Sequence, residues 1–127
     1  MPRILYVHHT SCAGGAENSL LEVVKRLDGY DAVVACPGRG PLPDRLRELG
    51  VLVEPVPMVR FRRTANPLRL ARYSIAWQSC IRKIVRIVRR SGIDLIHSNS
   101  TMAHLYAARA ARHTRRPVVW HVRDLAL

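Results

Sequence analysis

The sequence predicts an α/β fold, a Rossmann-like doubly wound parallel sheet of about five strands in an order near 3-2-1-4-5. Three observations point there. Short apolar runs alternate with helical patterns along the whole chain. The runs are mostly continuous rather than alternating, as strands buried on both faces require. The first run also feeds a glycine pair that opens a helix, the way a central strand delivers a turn to a ligand.

Each element has its own warrant. Residues 3–7, RILYV, form a short apolar strand bounded by polar loop. A helix over 16–27 follows the glycines, with Leu20, Leu21, Val24 and Leu27 on one side. DAVVAC (31–36) is the second strand, ended by PGRGP, and LPDRLRELG (42–50) is a short helix that Gly50 closes. VLVEPV (51–56) is the third strand. A long loop with the basic cluster RFRR (60–63) leads to Pro67, which starts a helix running to about Arg90 and closing at SG. Positions 70, 73, 77, 81, 84 and 88 of that helix are Leu, Tyr, Trp, Ile, Ile and Val, a stripe expected to pack on the sheet. DLIHS (94–98) is the fourth strand, TMAHLYAARAARH (101–113) the last helix and PVVWHV (117–122) the fifth strand. Neither an internal repeat nor a low-complexity segment interrupts the pattern.

Composition narrows the class. One domain of 127 residues with 48% hydrophobic content has enough apolar surface for a core and is not a disordered chain. No run reaches the roughly 18–20 apolar residues of a spanning helix, and the N-terminus lacks a secretory signal. The sequon Asn99-Ser100-Thr101 is therefore set aside. Cys12, Cys36 and Cys80, odd in number and far apart, read as reduced cysteines of a cytoplasmic protein.

Charge is the unusual feature. Lys and Arg number 21 against 9 acidic residues, for a net charge of +12, and all but Lys25 and Lys83 of the basic residues are Arg. Guanidinium groups grip phosphate and carboxylate bidentately, so an anionic partner competes with a merely solvated basic surface. Arg60, Arg62 and Arg63, with the stripe of Arg69, Arg72, Lys83, Arg86 and Arg90 on the long helix, are candidate contacts to an anionic membrane. A single-stranded nucleic-acid surface interleaves exposed aromatics with charge. Here the few aromatics fall largely in core patterns, so no nucleic acid is expected.

The carboxyl ends of strands 1, 4 and 5 should gather residues 8–15, 97–101 and 121–124. Amides of Gly14, Gly15 and Ala16 at a helix N-terminus suit a phosphate or diphosphate. The spacing is neither G-x-G-x-x-G nor G-x-x-x-x-G-K-[ST], which disfavours a nicotinamide dinucleotide and excludes a P-loop. A tight turn with no ligand is the plain alternative. Glu17 complements the helix dipole but repels a phosphate unless it points away, for instance toward a sugar hydroxyl. His8, His9, His97 and His121 lie at strand ends, without metal-ligand spacing. His104 and His113 look ordinary. Ser100 or Thr101 can cap the last helix.

These pieces together resemble a known family. ILYVHHTSCAGGAENSLLEVVKRL, DLIHSNSTMAHLYAARAARHTRRPVVWHVRDL and their order look like the N-terminal half of a retaining glycosyltransferase with the B-type fold, family 4 (group 1). GGAE after strand 1, DLIHSNS at strand 4 and PVVWHVRD at strand 5 carry the likeness jointly. The resemblance implies two Rossmann-like domains, with the acceptor on this one and a nucleotide-sugar donor on a C-terminal partner. It assigns Gly14 and Gly15 to the donor diphosphate and His121 to the reaction centre, beside the transferred sugar. It points to Asn99, Ser100 and Thr101 as acceptor contacts; His9 and Ser11 join them by position only. It implies no cofactor and no metal, and lets the leaving phosphate itself act as base.

One departure stands out. The family's E-x7-E pair is missing, since Glu17, Glu22, Glu48 and Glu54 do not fit it, and the sequence ends just past strand 5. Residues 1–127 are thus expected to be the acceptor-side domain, with the donor-binding domain absent. It would be an excised domain, a truncation or one subunit of a split enzyme, unable to transfer sugar alone. The alternative is a non-catalytic subunit that docks a transferase on the inner membrane face.

Overall fold

The structure, a computed structural model, describes residues 2–10, 14–59 and 63–121, without the Ala16 side chain. Its elements are β1 (Arg3–Val7), α1 (Gly15–Lys25), β2 (Asp31–Cys36), α2 (Pro41–Glu48), β3 (Leu52–Pro55), α3 (Pro67–Ser91), β4 (Leu95–Ser98), α4 (Thr101–Thr114) and β5 (Val118–Trp120). The strands pair in parallel in the order β3-β2-β1-β4-β5, as the sequence predicts. Val122, in the expected fifth strand, lies outside the described residues.

β1 explains why its sequence reads as an unbroken apolar run. Successive side chains of a strand point to opposite faces. Leu5 and Val7 enter a core with Ile84 and Val88 of α3 and Tyr106 and Ala110 of α4. Ile4 and Tyr6 enter a second core with Leu20 and Val24 of α1 and Leu42 and Leu46 of α2. A helical layer on each face buries both sets, which forces the doubly wound architecture.

Two local features position the later elements. Asn66 Oδ1 accepts from the Leu68 amide at 3.0 Å, and with Pro67 at the first helical position this fixes the start of α3. The Tyr106 hydroxyl, buried from α4, donates to the Val59 carbonyl at 2.8 Å and accepts from its amide at 3.1 Å. It thereby ties down the chain leaving β3 just before the basic loop.

The expected apolar stripe of α3 holds only in part. Ile81, Ile84 and Val88 are buried and Trp77 is half-buried on Tyr106, but Leu70 is 51% exposed. The reason is length. The 25 residues of α3 span about 37 Å at 1.5 Å per residue. Strands of four to six residues cover only about 13–20 Å. The first turns of α3 therefore overhang the sheet, leaving Leu68 62% and Ile75 70% exposed.

Candidate functional site

In the strand order, the direction of winding reverses between β1 and β4, and ligands of open α/β sheets bind at the carboxyl ends beside such a reversal. The chain places His8, His9 and Thr10 after β1, Asn99 to Thr101 after β4, and His121 after β5 at this edge. Backbone bonds hold the ends in register: Asn99 N donates to the Val7 carbonyl at 3.0 Å and His121 N to the Ser98 carbonyl at 2.9 Å.

A buried polar network sits beneath the edge. His8 is fully buried, and Asn99 Nδ2 donates to its Nδ1 at 3.2 Å. The ring proton is thus on Nε2, which donates to Glu17 Oε1 at 3.1 Å. Thr10 Oγ1 donates to the same carboxylate oxygen at 2.7 Å. Burial alone would push the Glu17 carboxyl up. The hydrogen bonds from Thr10, His8 and its own amide, with the electrostatic pull of His8, outweigh it and hold the pKa below the ordinary 4.5. Glu17 thus points inward to the end of β1, fastening the glycine loop to β1 and, through Asn99, to β4.

A parallel link joins the outer residues. Ser100 Oγ accepts from the Ala103 amide at 3.2 Å, capping α4, and shares a second hydrogen bond with His9 Nδ1 at 2.7 Å. The Thr101 hydroxyl oxygen is buried and has no hydrogen-bond partner among the described residues. The exposed His121 ring lies 6.0 Å from His97, edge to face.

The glycine pair opens α1. Gly14 is its N-cap in extended conformation and brings no side-chain cap bond, while the Glu17 amide in the first turn goes to its own carboxylate, leaving the amides of Gly15 and Ala16 as the ones that open toward the edge. A Cβ on Gly14 would stand 3.1 Å from Glu17 Oε2, whereas one on Gly15 would meet nothing within 4 Å among the described residues, which make no steric demand for glycine there.

Not every expected residue gathers here. His9, Gly14, Gly15, Asn99, Ser100, Thr101 and His121 lie on or just beneath the carboxyl-end edge. Ser11 lies outside the described residues, as do Arg60 and Arg62. Arg63, Arg69, Arg72, Lys83, Arg86 and Arg90 are exposed on the loop before α3 and on α3 itself. Among the described residues no His, Cys, Asp and Glu cluster can hold a metal ion. The sequence reading did not assign His8 and Glu17 to one network. A signal was present, because Glu17 stands at helical spacing from Leu20 and Val24 and so belongs to the buried face of α1.

His104, ordinary by sequence, supports the β5 side. Ser98 Oγ donates to the Val119 carbonyl at 3.2 Å and so accepts from His104 Nδ1 at 2.9 Å. The imidazole stacks on Trp120 at 4.4 Å and 7°. Burial lowers its pKa below the ordinary 6.5. The unfolded chain then binds the proton more readily, so the contribution of His104 is full above pH 6.5 and fades as pH falls through its lowered value. In thermal melts His104→Phe, which keeps a stacked ring, is expected to flatten the loss of Tm below that pH. An unchanged pH profile would contradict the assignment.

The sequence pattern described as the Glycosyl transferase 4-like domain matches residues 14–127. No curated protein matches the sequence. The chain is similar to Anabaena Alr3699/HepE in its complex with UDP-glucose, at 26% identity over 96% of this chain and 29% of that one, with TM-score 0.69. A glycosyltransferase from Rickettsia africae ESF-5 is 20% identical over 94% of this chain and 29% of its own, with TM-score 0.68. Acinetobacter baumannii MurG shares only 14% identity, yet covers 100% of this chain with 36% of its own and a TM-score of 0.76. The chain thus spans about a third of the length of these structures.

Proposed function

The chain belongs to the glycosyl transferase 4-like domain family, and we propose that it forms the N-terminal, acceptor-side half of a retaining glycosyltransferase. The reaction moves a sugar from a nucleotide-sugar donor, held mainly by a C-terminal domain, to an acceptor hydroxyl. The observation that carries this reading is the glycine-opened start of α1 beside the β1–β4 reversal, where a Cβ on Gly15 would meet no described atom within 4 Å.

The roles follow from position. Amides of Gly14 and Gly15 face the donor diphosphate and stabilise the charge that grows on it as the sugar leaves. His121 orients the transferred sugar from the end of β5. The acceptor lies over the β1 and β4 ends beside His9 and Thr101, and Ser11 is assigned to it by its place in the sequence. Asn99 and Ser100 hold His8 and His9 in place below. The leaving phosphate takes the acceptor proton on the face it vacates, which gives retention. The Anabaena relative, solved in complex with UDP-glucose, supports a nucleotide-sugar donor.

Calorimetric titration of this chain with uridine and guanosine diphosphate sugars is expected to give little heat. In the transferase completed by the donor-binding half, product NMR is expected to show the donor's anomeric configuration. Tight binding by this chain alone would reverse the division of labour, and an inverted product would refute retention.

A second reading rests on the overhang of α3. Exposed Leu68, Leu70 and Ile75 stand among Arg63, Arg69 and Arg72, the apolar-plus-basic surface that anionic bilayers attract. No described helix is long and apolar enough to cross a membrane. At about 1 kcal/mol per basic residue, reversing these arginines to Glu should weaken binding to phosphatidylglycerol vesicles about 100-fold or more. Undiminished vesicle binding would sink the idea.

A further inference from the structure

α3 and α4 lie side by side on one face of the sheet and enclose an open groove of about 880 Å³. Trp77, Ile81 and Val85 form its floor, while Arg82, Arg86 and Arg89 rise from α3 and Arg109 from α4. These stretches belong to the helix halves nearest the amino ends of the strands, away from the candidate site. Among the described residues no carboxylate comes within ion-pair distance of those four arginines, although the neighbouring Arg90 is held by Glu54 at 2.9 Å. Like charges gathered this closely are relieved by an occupant of opposite charge.

We propose that this groove docks an acidic amphipathic helix of a partner protein, its apolar stripe on Trp77 and Val85 and its carboxylates on the arginine rims. Shape supports a helix. From Trp77 to Arg90 the groove runs about 20 Å along α3, room for three to four helical turns. Two adjacent helices running the same way, each between a strand's carboxyl end and the next strand's amino end, leave a furrow that a third helix fills. Charge supports an acidic one, because the row of guanidinium groups on α3 and Arg109 opposite it match carboxylates bidentately. The apolar floor is recessed below the charged rims, whereas a bilayer surface needs apolar groups outermost, as on the overhang of α3. A nucleic acid would want free aromatic faces, and Trp77 is already packed on Tyr106 at 4.6 Å. The proposal does not rest on transferase activity.

The test uses the full chain carrying Trp120→Phe, which leaves Trp77 as its one tryptophan. The probe is a synthetic helical peptide of about 15 residues with Leu at helical spacing flanked by Glu, titrated at about 0.15 M ionic strength. Binding is expected to shift Trp77 emission to the blue. Combined Arg82→Glu, Arg86→Glu and Arg109→Glu should weaken it by about 30-fold or more. A control triple of Arg26, Arg39 and Arg45 to Glu, outside the groove, should change it by less than about 3-fold. Should the charge-reversed triple melt, Gln at the same positions should still weaken binding by about 10-fold. Equal losses in the two triples, or an unmoved Trp77 spectrum, would overturn the proposal. So would phosphatidylglycerol vesicles or an oligonucleotide binding more tightly than the peptide through the same arginines. Any of these failures would leave the proposed sugar-transfer role standing, because none of the measurements involves a donor.

Discussion

Replacing Gly15 with Val is expected to lower turnover of the completed transferase by about 100-fold or more, while this chain melts at an unchanged temperature. The two halves of that expectation come from one geometry. A Cβ at position 15 meets no atom of the described residues within 4 Å, so they accept a side chain there. The branched Val side chain instead fills the space beside the uncapped amides of α1, where a diphosphate oxygen would approach. Keeping the diphosphate from one preorganised donor of this kind costs about as much as removing the donor, about 100- to 1,000-fold in turnover. Steady-state kinetics and thermal melts on the same protein decide the matter. Normal turnover would remove the diphosphate role from the loop, and a lowered Tm would mean that glycine is structural after all.

Glu17→Ala should act through the fold as well as the chemistry. It takes the carboxylate from the Nε2 proton of fully buried His8, which keeps only the longer 3.3 Å contact to Thr10 Oγ1, and releases Thr10. Losing hydrogen bonds to a charged group costs about 1.5–3 kcal/mol, so a drop of about 2 kcal/mol in unfolding free energy is expected, along with lost turnover as the glycine loop comes off β1. Glu17→Gln keeps an acceptor oxygen for His8 and should recover much of the stability. The wild-type protein should show the same dependence in acid. A carboxylate with a lowered native pKa stabilises fully above its ordinary value of 4.5, and that contribution is lost as pH falls through the native value. Equal stability of Glu17→Ala and wild type at neutral pH would show that the network holds nothing.

Much of the architecture was legible in the sequence because it rests on short-range patterns. The apolar run of residues 3–7 announced a strand buried on both faces, and Pro67 and the Ser91-Gly92 pair marked the ends of α3. The carboxyl-end histidines could be placed on one edge from topology alone. Other features depend on distances that no local pattern encodes. The α3 stripe looked uniform from 70 to 88, and only the short strands beneath it reveal that its first turns have nothing to cover. Likewise, Asn99 and Ser100 read as a capping stretch. Partners 91 residues away turn Asn99 into a setter of the His8 tautomer and Ser100 into a link to His9. Glu17 was left open for a different reason: its charge said only that it must turn away from a phosphate, while its helical spacing already marked the inward direction it takes.

The overhang of α3 also divides one continuous helix into regions of unequal permanence. Opening of its last turns must break the main core around Ile84 and Val88, which few molecules do at any moment. Opening of the turns around Leu68 and Ile75 exposes little that is not already wet, at the cost of a few hydrogen bonds and the Asn66 cap. Deuterium should therefore enter the amides from about Leu70 to Ser74 well before those from Ile84 to Val88. The helix would then show a gradient of exchange along a single hydrogen-bonded rod. A docked partner would make itself known as protection spreading along that gradient.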